Sequence, residues 1–144
     1  MDSFSIILVV VLLILVILSA FFSGSETSIM ALNQIKLDNA EKQGNKSAKI
    51  INSLRKEINR VLGVILIGNN LVNISASALL TFFVIKKFGD EYVWIGTLLL
   101  TIFIIIFAEI APKSFAAKRP ESIAYPASRI LKVLTKYLGS FSEI

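Results

Sequence analysis

The sequence predicts an all-α membrane protein: three transmembrane helices plus juxtamembrane amphipathic helices, forming one domain over residues 1–144. Three observations carry that class. Hydrophobic residues make up 55% of the chain and the mean hydropathy is +0.75, a balance that excludes an ordinary soluble domain. The apolar residues gather into three stretches long enough to cross a bilayer,. The Lys and Arg residues fall in the intervals between those stretches, where they set topology,.

The first span covers about 4–32. From Phe4 to Phe22 its polar members are Ser5 and Ser19. A polar knot follows, Ser23-Gly24-Ser25-Glu26-Thr27-Ser28, before Ile29-Met30-Ala31-Leu32 resumes the apolar run. Gly24 among serines is a place where a membrane helix is expected to kink or open, because nearby hydroxyls satisfy freed backbone groups. A cleaved signal peptide fits poorly. No basic residue precedes the run, which exceeds the roughly 7–15 apolar residues of such leaders. Residues 33–60 are polar and basic, with Ile51, Leu54 and Ile58 at i, i+3, i+7, the pattern of an amphipathic segment at the cytoplasmic surface. Gly44-Asn45 marks a turn inside it,.

The second span covers about 61–85 and the third about 92–111. The link Lys86 to Glu91, with Gly89-Asp90, is a short turn, so these two spans are antiparallel neighbours. After Pro112, a helix over about 120–139 is expected to lie in the membrane interface as a belt. Ile130, Leu131, Leu134, Tyr137 and Leu138 share one face of it, and Arg129, Lys132 and Lys136 line the opposite one,. The same periodicity would also serve a helix that packs on a further domain.

The first 35 residues hold no Lys or Arg; the segment before span two holds seven, the link between spans two and three holds two, and the tail holds six. This asymmetry predicts a multi-pass protein of the cell membrane with its N-terminus outside and its C-terminus cytoplasmic. It also accounts for the net charge of +5 without a nucleic-acid partner. The chain has no Cys and no His. Disulfides, thiolate chemistry, N/S zinc sites and imidazole acid–base work are excluded. No nucleophile–base pair can be drawn, so an enzyme is not expected. Any bound metal must be held by oxygen, which selects hard cations.

Oxygen groups do occur inside the spans. Glu109 ends the apolar run of span three, just before Pro112, and a carboxylate at membrane depth demands a partner. No Lys or Arg lies deep in any span, so a cation or a proton must neutralise it. Pro112 has no N–H and cannot bond the Ala108 carbonyl, which frees a second oxygen at that level. In span one, Ser19, Ser23 and Glu26 fall at i, i+4, i+7,. In span two, Asn69 and Asn73 are i, i+4, while Asn70, Asn73 and Ser77 are i, i+3, i+7, which makes Asn73 the centre. Each piece has a plainer reading. Serines in membrane helices bond back to their own backbone, asparagines join helices, and Glu26 lies near the basic end of its span.

Together these residues resemble the transmembrane domain of the CNNM/CorC family of magnesium transporters. The match rests on Phe-Ser-Gly-Ser-Glu-Thr at 22–27, Met-Ala-Leu-Asn at 30–33, Gly-Asn-Asn-Leu-Val-Asn at 68–73, Glu-Ile-Ala-Pro-Lys at 109–113 and Ala-Lys-Arg-Pro-Glu at 117–121. The resemblance implies a homodimer with a belt helix that holds one dehydrated Mg²⁺ per protomer, in a family linked to Na⁺-coupled Mg²⁺ export. The family's ion-site motifs fall on Ser19, Ser23, Asn69, Asn73 and Glu109, with Gly24 and Ala108 as backbone donors. Asn70 joins the candidate set although the family pattern does not require it. Family members continue into cytoplasmic CBS domains that bind ATP, which these residues do not include, and the ending Phe-Ser-Glu-Ile reads as a truncation. The function expected is Mg²⁺ transport, with Na⁺ as coupling ion. Two rivals stay open at this point: a membrane anchor or dimerisation module, and a passive divalent-cation channel.

Overall fold

The computed structural model describes residues 2–142, and the side chains of residues 2–138. Glu143 and Ile144, half of the ending read as a truncation, lie outside the described residues. Within them the chain is helical, without a strand. Helix α1 is Ser3–Ala31, α2 Gln34–Lys42, α3 Lys46–Lys56 and α4 Ile58–Phe88. A 3₁₀ turn, Asp90–Tyr92, leads into α5, Val93–Ile104; a π-helical segment, Ile105–Ile110, then joins α5 to α6, Ala111–Lys118. The last helix, α7, is Pro120–Ser142. Three stretches among the described residues are long and apolar enough to span: Ser3–Ala31, Ile58–Phe88 and Asp90–Lys118.

Helices α1 and α4 run antiparallel in close contact. The Phe4 ring meets the Phe82 ring edge-on at 5.9 Å at one end. Ser19 meets Asn69 and Asn73 midway. Phe22 covers Gly68, where an added β-carbon would stand 2.6 Å from the ring. Glycine is required there by that close approach. Helix α5 turns back along α4 through Gly89, whose φ of 95° and ψ of 163° belong to glycine,. No described residue of α5 is buried, and Trp94, Leu98 and Leu99 are among its exposed side chains. That apolar surface suits contact with lipid.

The best-packed core lies beyond the Leu32 end of the spans. Ile29, Leu37, Ile51, Val61 and Leu131 are all within 1% of complete burial. They come from α1, α2, α3, α4 and α7, so the polar segment of the sequence docks as a lid beneath the spans. Burial of each large aliphatic side chain contributes about 1.5–3 kcal/mol where water is the alternative. Arg55 fastens the lid. Its guanidinium donates to the Ile29 carbonyl at 3.1 Å and the Leu32 carbonyl at 2.7 Å, satisfying acceptors that the end of α1 leaves open.

Two expectations need correction. Helix α1 runs unbroken through Gly24, because Gly24 lies buried against Pro112 and Ile123, and that packing holds the helical path. The apolar face expected on α7 also divides in two. Leu131 is fully buried with Ala124, Ala127, Ser128 and Thr135, whereas Ile130, Val133 and Tyr137 are exposed. Small residues at 124, 127 and 128 let α7 approach α1, α3 and α4 closely, which periodicity of large residues alone did not reveal.

Candidate metal centre

The candidate site centres on the contact of α1 with α4, and the π-helical segment packs on α1 as well. Ser19 is fully buried. Its Oγ lies 2.9 Å from Asn69 Oδ1 and 2.9 Å from Asn73 Oδ1. A hydroxyl has one proton, so it can donate to only one of these two acceptors. The amide oxygens and the hydroxyl converge on one point, an arrangement of neutral oxygens that a hard cation accepts.

Serines elsewhere show the plainer behaviour. Ser28 Oγ donates to the Ser25 carbonyl, Thr81 to Ser77 and Thr101 to Thr97. Ser19 does not back-bond in this way, and Ser23 Oγ is buried without a hydrogen-bond partner among the described residues. Ser23 stands one turn below Ser19 on the same face, so its oxygen is available to whatever Ser19 serves. Ser25 Oγ is likewise unpartnered, but two residues on from Ser23 it points to another side of α1.

Glu109 is half-buried, and it takes part in no hydrogen bond or ion pair among the described residues. Its depth follows from the packing. Gly24 abuts Pro112, with 3.7 Å from the position of a Gly24 β-carbon to Pro112 Cβ. The π segment, α6 and α1 run in the same direction. Counting three residues back along both chains sets the Glu109 backbone level with Phe21, between Ser19 and Ser23. The π turn serves this placement. The Ala111 amide donates to Ile106, five residues back, and the widened turn offsets Glu109 from where a regular helix would carry it. Pro112 then offers no N–H to Phe107 in the π register or to Ala108 in the α register. Both carbonyls lose that donor, so the freed oxygen read at Ala108 gains Phe107 as a companion.

The remaining candidates sort by position. Asn69 and Asn73 are half-buried and touch Ser19, whereas Asn70 is exposed on another side of α4. Gly24 is buried beside Pro112. Ala108 is fully buried in the π segment. Among the described residues no group of three or more acidic side chains could hold a metal, so a cation here would rest mainly on neutral oxygens. No sequence signal marks the Phe22–Gly68 contact, which lies about one turn below Ser19. The π turn was foreshadowed only by Pro112.

The chain matches the family described as the cyclin M transmembrane N-terminal domain (CNNM) over residues 10–144. It belongs to the CNNM transmembrane domain family. It is 49% identical over 117 residues to the UPF0053 inner membrane protein YfjD of Escherichia coli, which covers 81% of this chain and 27% of that protein. It is 44% identical over 129 residues to a UPF0053 protein of Haemophilus influenzae, covering 90% of this chain and 31% of that protein. A putative DUF21 domain-containing, chloroplastic protein of Arabidopsis thaliana is 37% identical over 133 residues, 82% of this chain and 20% of its own length. The chain thus spans less than a third of each of these relatives. With its three long apolar helices among the described residues, this CNNM domain is a multi-pass membrane protein.

Proposed function

We propose that this CNNM domain carries Mg²⁺ across the cell membrane, as a Na⁺-coupled efflux step, through a dehydrated site built from Ser19, Ser23, Asn69, Asn73 and Glu109. The observation that carries this reading is the Ser19 cluster, where side chains from two spans converge within 2.9 Å at membrane depth. Mg²⁺ takes six oxygens at ~2.0–2.1 Å in near-octahedral geometry, so neighbouring ligands stand about 2.9 Å apart. Both Ser19 contacts are 2.9 Å. An octahedral shell around Ca²⁺, at ~2.4 Å, would require about 3.4 Å. A hydrogen bond has the same length as the Mg²⁺ edge, so the reading rests on the convergence of polar groups from two spans and not on the distance alone.

Glu109 supplies the charge. One carboxylate against a divalent ion leaves the occupied site with a net positive charge, which favours release over trapping. The carbonyls of Phe107 and Ala108, deprived of a donor by Pro112, are further neutral oxygens at this level. The chain's residues therefore replace part of the ion's water shell, while Ser23 completes the α1 side. A homodimer, an outside N-terminus and Na⁺ as coupling ion belong to the same reading, supported by family membership and by the charge asymmetry of the loops.

The test is Mg²⁺ flux in proteoliposomes, with and without an opposing Na⁺ gradient, for wild type and Glu109→Ala. Flux that the Na⁺ gradient accelerates and Glu109→Ala abolishes is expected. Flux indifferent to Na⁺ would replace exchange by a passive channel. Absent flux with altered oligomer state in Glu109→Ala would replace transport by a dimerisation module.

A further inference from the structure

Helix α3 breaks an electrostatic rule at its N-terminus. The exposed amides there carry partial positive charge, so acidic side chains are favoured in the first turn. This first turn contains Lys46 and Lys49 and no acid. Helix α7 then brings Lys132 beside the flank of α3 that begins at these lysines. Lys46, Lys49 and Lys132, with Ser53, surround a pocket of about 330 Å³ floored by Ile50 and Leu54. None of the three lysines has an ion-pair partner among the described residues, and no acidic side chain lines the pocket. These like charges gathered along one flank of α3 repel one another, and an anion among them would relieve that repulsion.

The location narrows the anion. Ile130, Val133 and Tyr137 form an exposed apolar stripe at i, i+3, i+7 along α7, with exposures of 52%, 53% and 67%. A third stripe, Arg129, Lys132 and Lys136, is basic and exposed. A helix with one face in the protein core, one apolar and outward, and one basic sits at the depth of lipid headgroups. The lysine pocket therefore opens where membrane phosphates are concentrated.

We propose that Lys46, Lys49 and Lys132 form a binding site for a phosphate group presented at the membrane surface. The ammonium groups and the Ser53 hydroxyl are the donors. The site is separate from the Ser19 cluster and does not rest on Mg²⁺ binding. Each Lys facing an anionic lipid surface contributes about fivefold in affinity.

The experiment uses the purified chain in neutral detergent, with water-soluble dihexanoyl phosphatidic acid as probe, followed by thermal shift and native mass spectrometry. Dihexanoyl phosphatidylcholine and inorganic pyrophosphate are the comparison arms. Phosphatidic acid is expected to bind at least tenfold more tightly than phosphatidylcholine. The triple variant Lys46→Gln/Lys49→Gln/Lys132→Gln is expected to lose roughly a hundredfold, while Lys36→Gln/Lys42→Gln/Lys56→Gln, with the same change in net charge, stays within a fewfold of wild type. Pyrophosphate binding as tight as phosphatidic acid, and equally lost in the first triple variant, supports the phosphate site and assigns it to a soluble ligand. Should the triple variant fold poorly, Lys132→Gln alone is expected to lose about fivefold and Lys132→Arg to restore it. Equal loss in both triple variants, or no preference for phosphatidic acid or pyrophosphate over phosphatidylcholine, overturns the proposal.

Discussion

Replacing Gly68 by Ala places a β-carbon 2.6 Å from Phe22 Cζ and 2.8 Å from Cε1. Carbon atoms in contact stand about 3.5–4.0 Å apart, so ring and methyl must separate by roughly 1 Å. The ring is rigid and 9% exposed, and the Phe21 ring lies edge-on to it at 5.5 Å. It has little room to turn, and the strain falls on the α1–α4 spacing. Overpacking of this kind costs about 1–3 kcal/mol. Alanine returns about 0.5–1 kcal/mol as a better helix former, which leaves a net loss of roughly 0–2.5 kcal/mol. In a Phe22→Leu background the obstruction is gone, and Gly68→Ala should stabilise by about 0.5–1 kcal/mol. The sign of one substitution thus depends on its neighbour. The assay is a double-mutant cycle of equilibrium unfolding in detergent, with Mg²⁺-dependent stabilisation measured on the same four proteins. Because Asn69 is adjacent to Gly68, widening this contact should also open the 2.9 Å Ser19–Asn69 contact and weaken the Mg²⁺ response. Gly68→Ala that stabilises equally in both backgrounds would refute the packing argument.

Three further outcomes are expected. Arg55→Ala should lose about 1–3 kcal/mol in an unfolding titration, since charge-assisted bonds to the Ile29 and Leu32 carbonyls disappear, and Arg55→Lys should restore only part because one ammonium cannot reproduce the fork. Gly89→Ala should cost about 1–3 kcal/mol of backbone strain, whereas Gly24→Ala, whose β-carbon would meet its neighbours at an ordinary 3.7 Å, should melt within a few degrees of wild type. Pro112→Ala should raise basal stability by about 0.5–1.5 kcal/mol as a new amide pairs a carbonyl of the π segment, and should lower Mg²⁺ affinity measured by calorimetric titration.

Much of the architecture is legible in the sequence because hydrocarbon enforces it. The expected spans, 4–32, 61–85 and 92–111, lie close to Ser3–Ala31, Ile58–Phe88 and the helices from Asp90 to Lys118. Gly44 and Gly89 mark turns with positive φ, as their neighbours foretold. What stayed hidden depends on contacts between distant residues. The third span is not one α-helix: a π turn at Ile105–Ile110 interrupts it just before Pro112, and only Pro112 marked that place in the sequence. The pattern of α7 was read from its large residues, yet Ala124, Ala127 and Ser128 decide which face is buried. Ser19 and the two asparagines it touches in the fold, Asn69 and Asn73, stood out because polar groups are conspicuous against an apolar span. Asn70 was equally conspicuous, and only the turn of α4 shows that it faces elsewhere. Arg55 passed as one more basic residue of the cytoplasmic segment, since nothing local marks a cap that reaches back 23 residues to Leu32.

The most direct test of the Mg²⁺ site is a Mg²⁺ titration of thermal stability for wild type and Glu109→Gln, which removes the charge and keeps the shape. A bound ion at a hundredfold its dissociation constant stabilises by about 2.7 kcal/mol. Wild type should gain on that scale, and more from Mg²⁺ than from Ca²⁺. Glu109→Gln should match or exceed wild type without Mg²⁺, since it carries no uncompensated carboxylate at depth, and should gain little when Mg²⁺ is added. A Glu109→Gln protein that retains the full Mg²⁺ gain would contradict the assignment of Glu109 as the charged ligand.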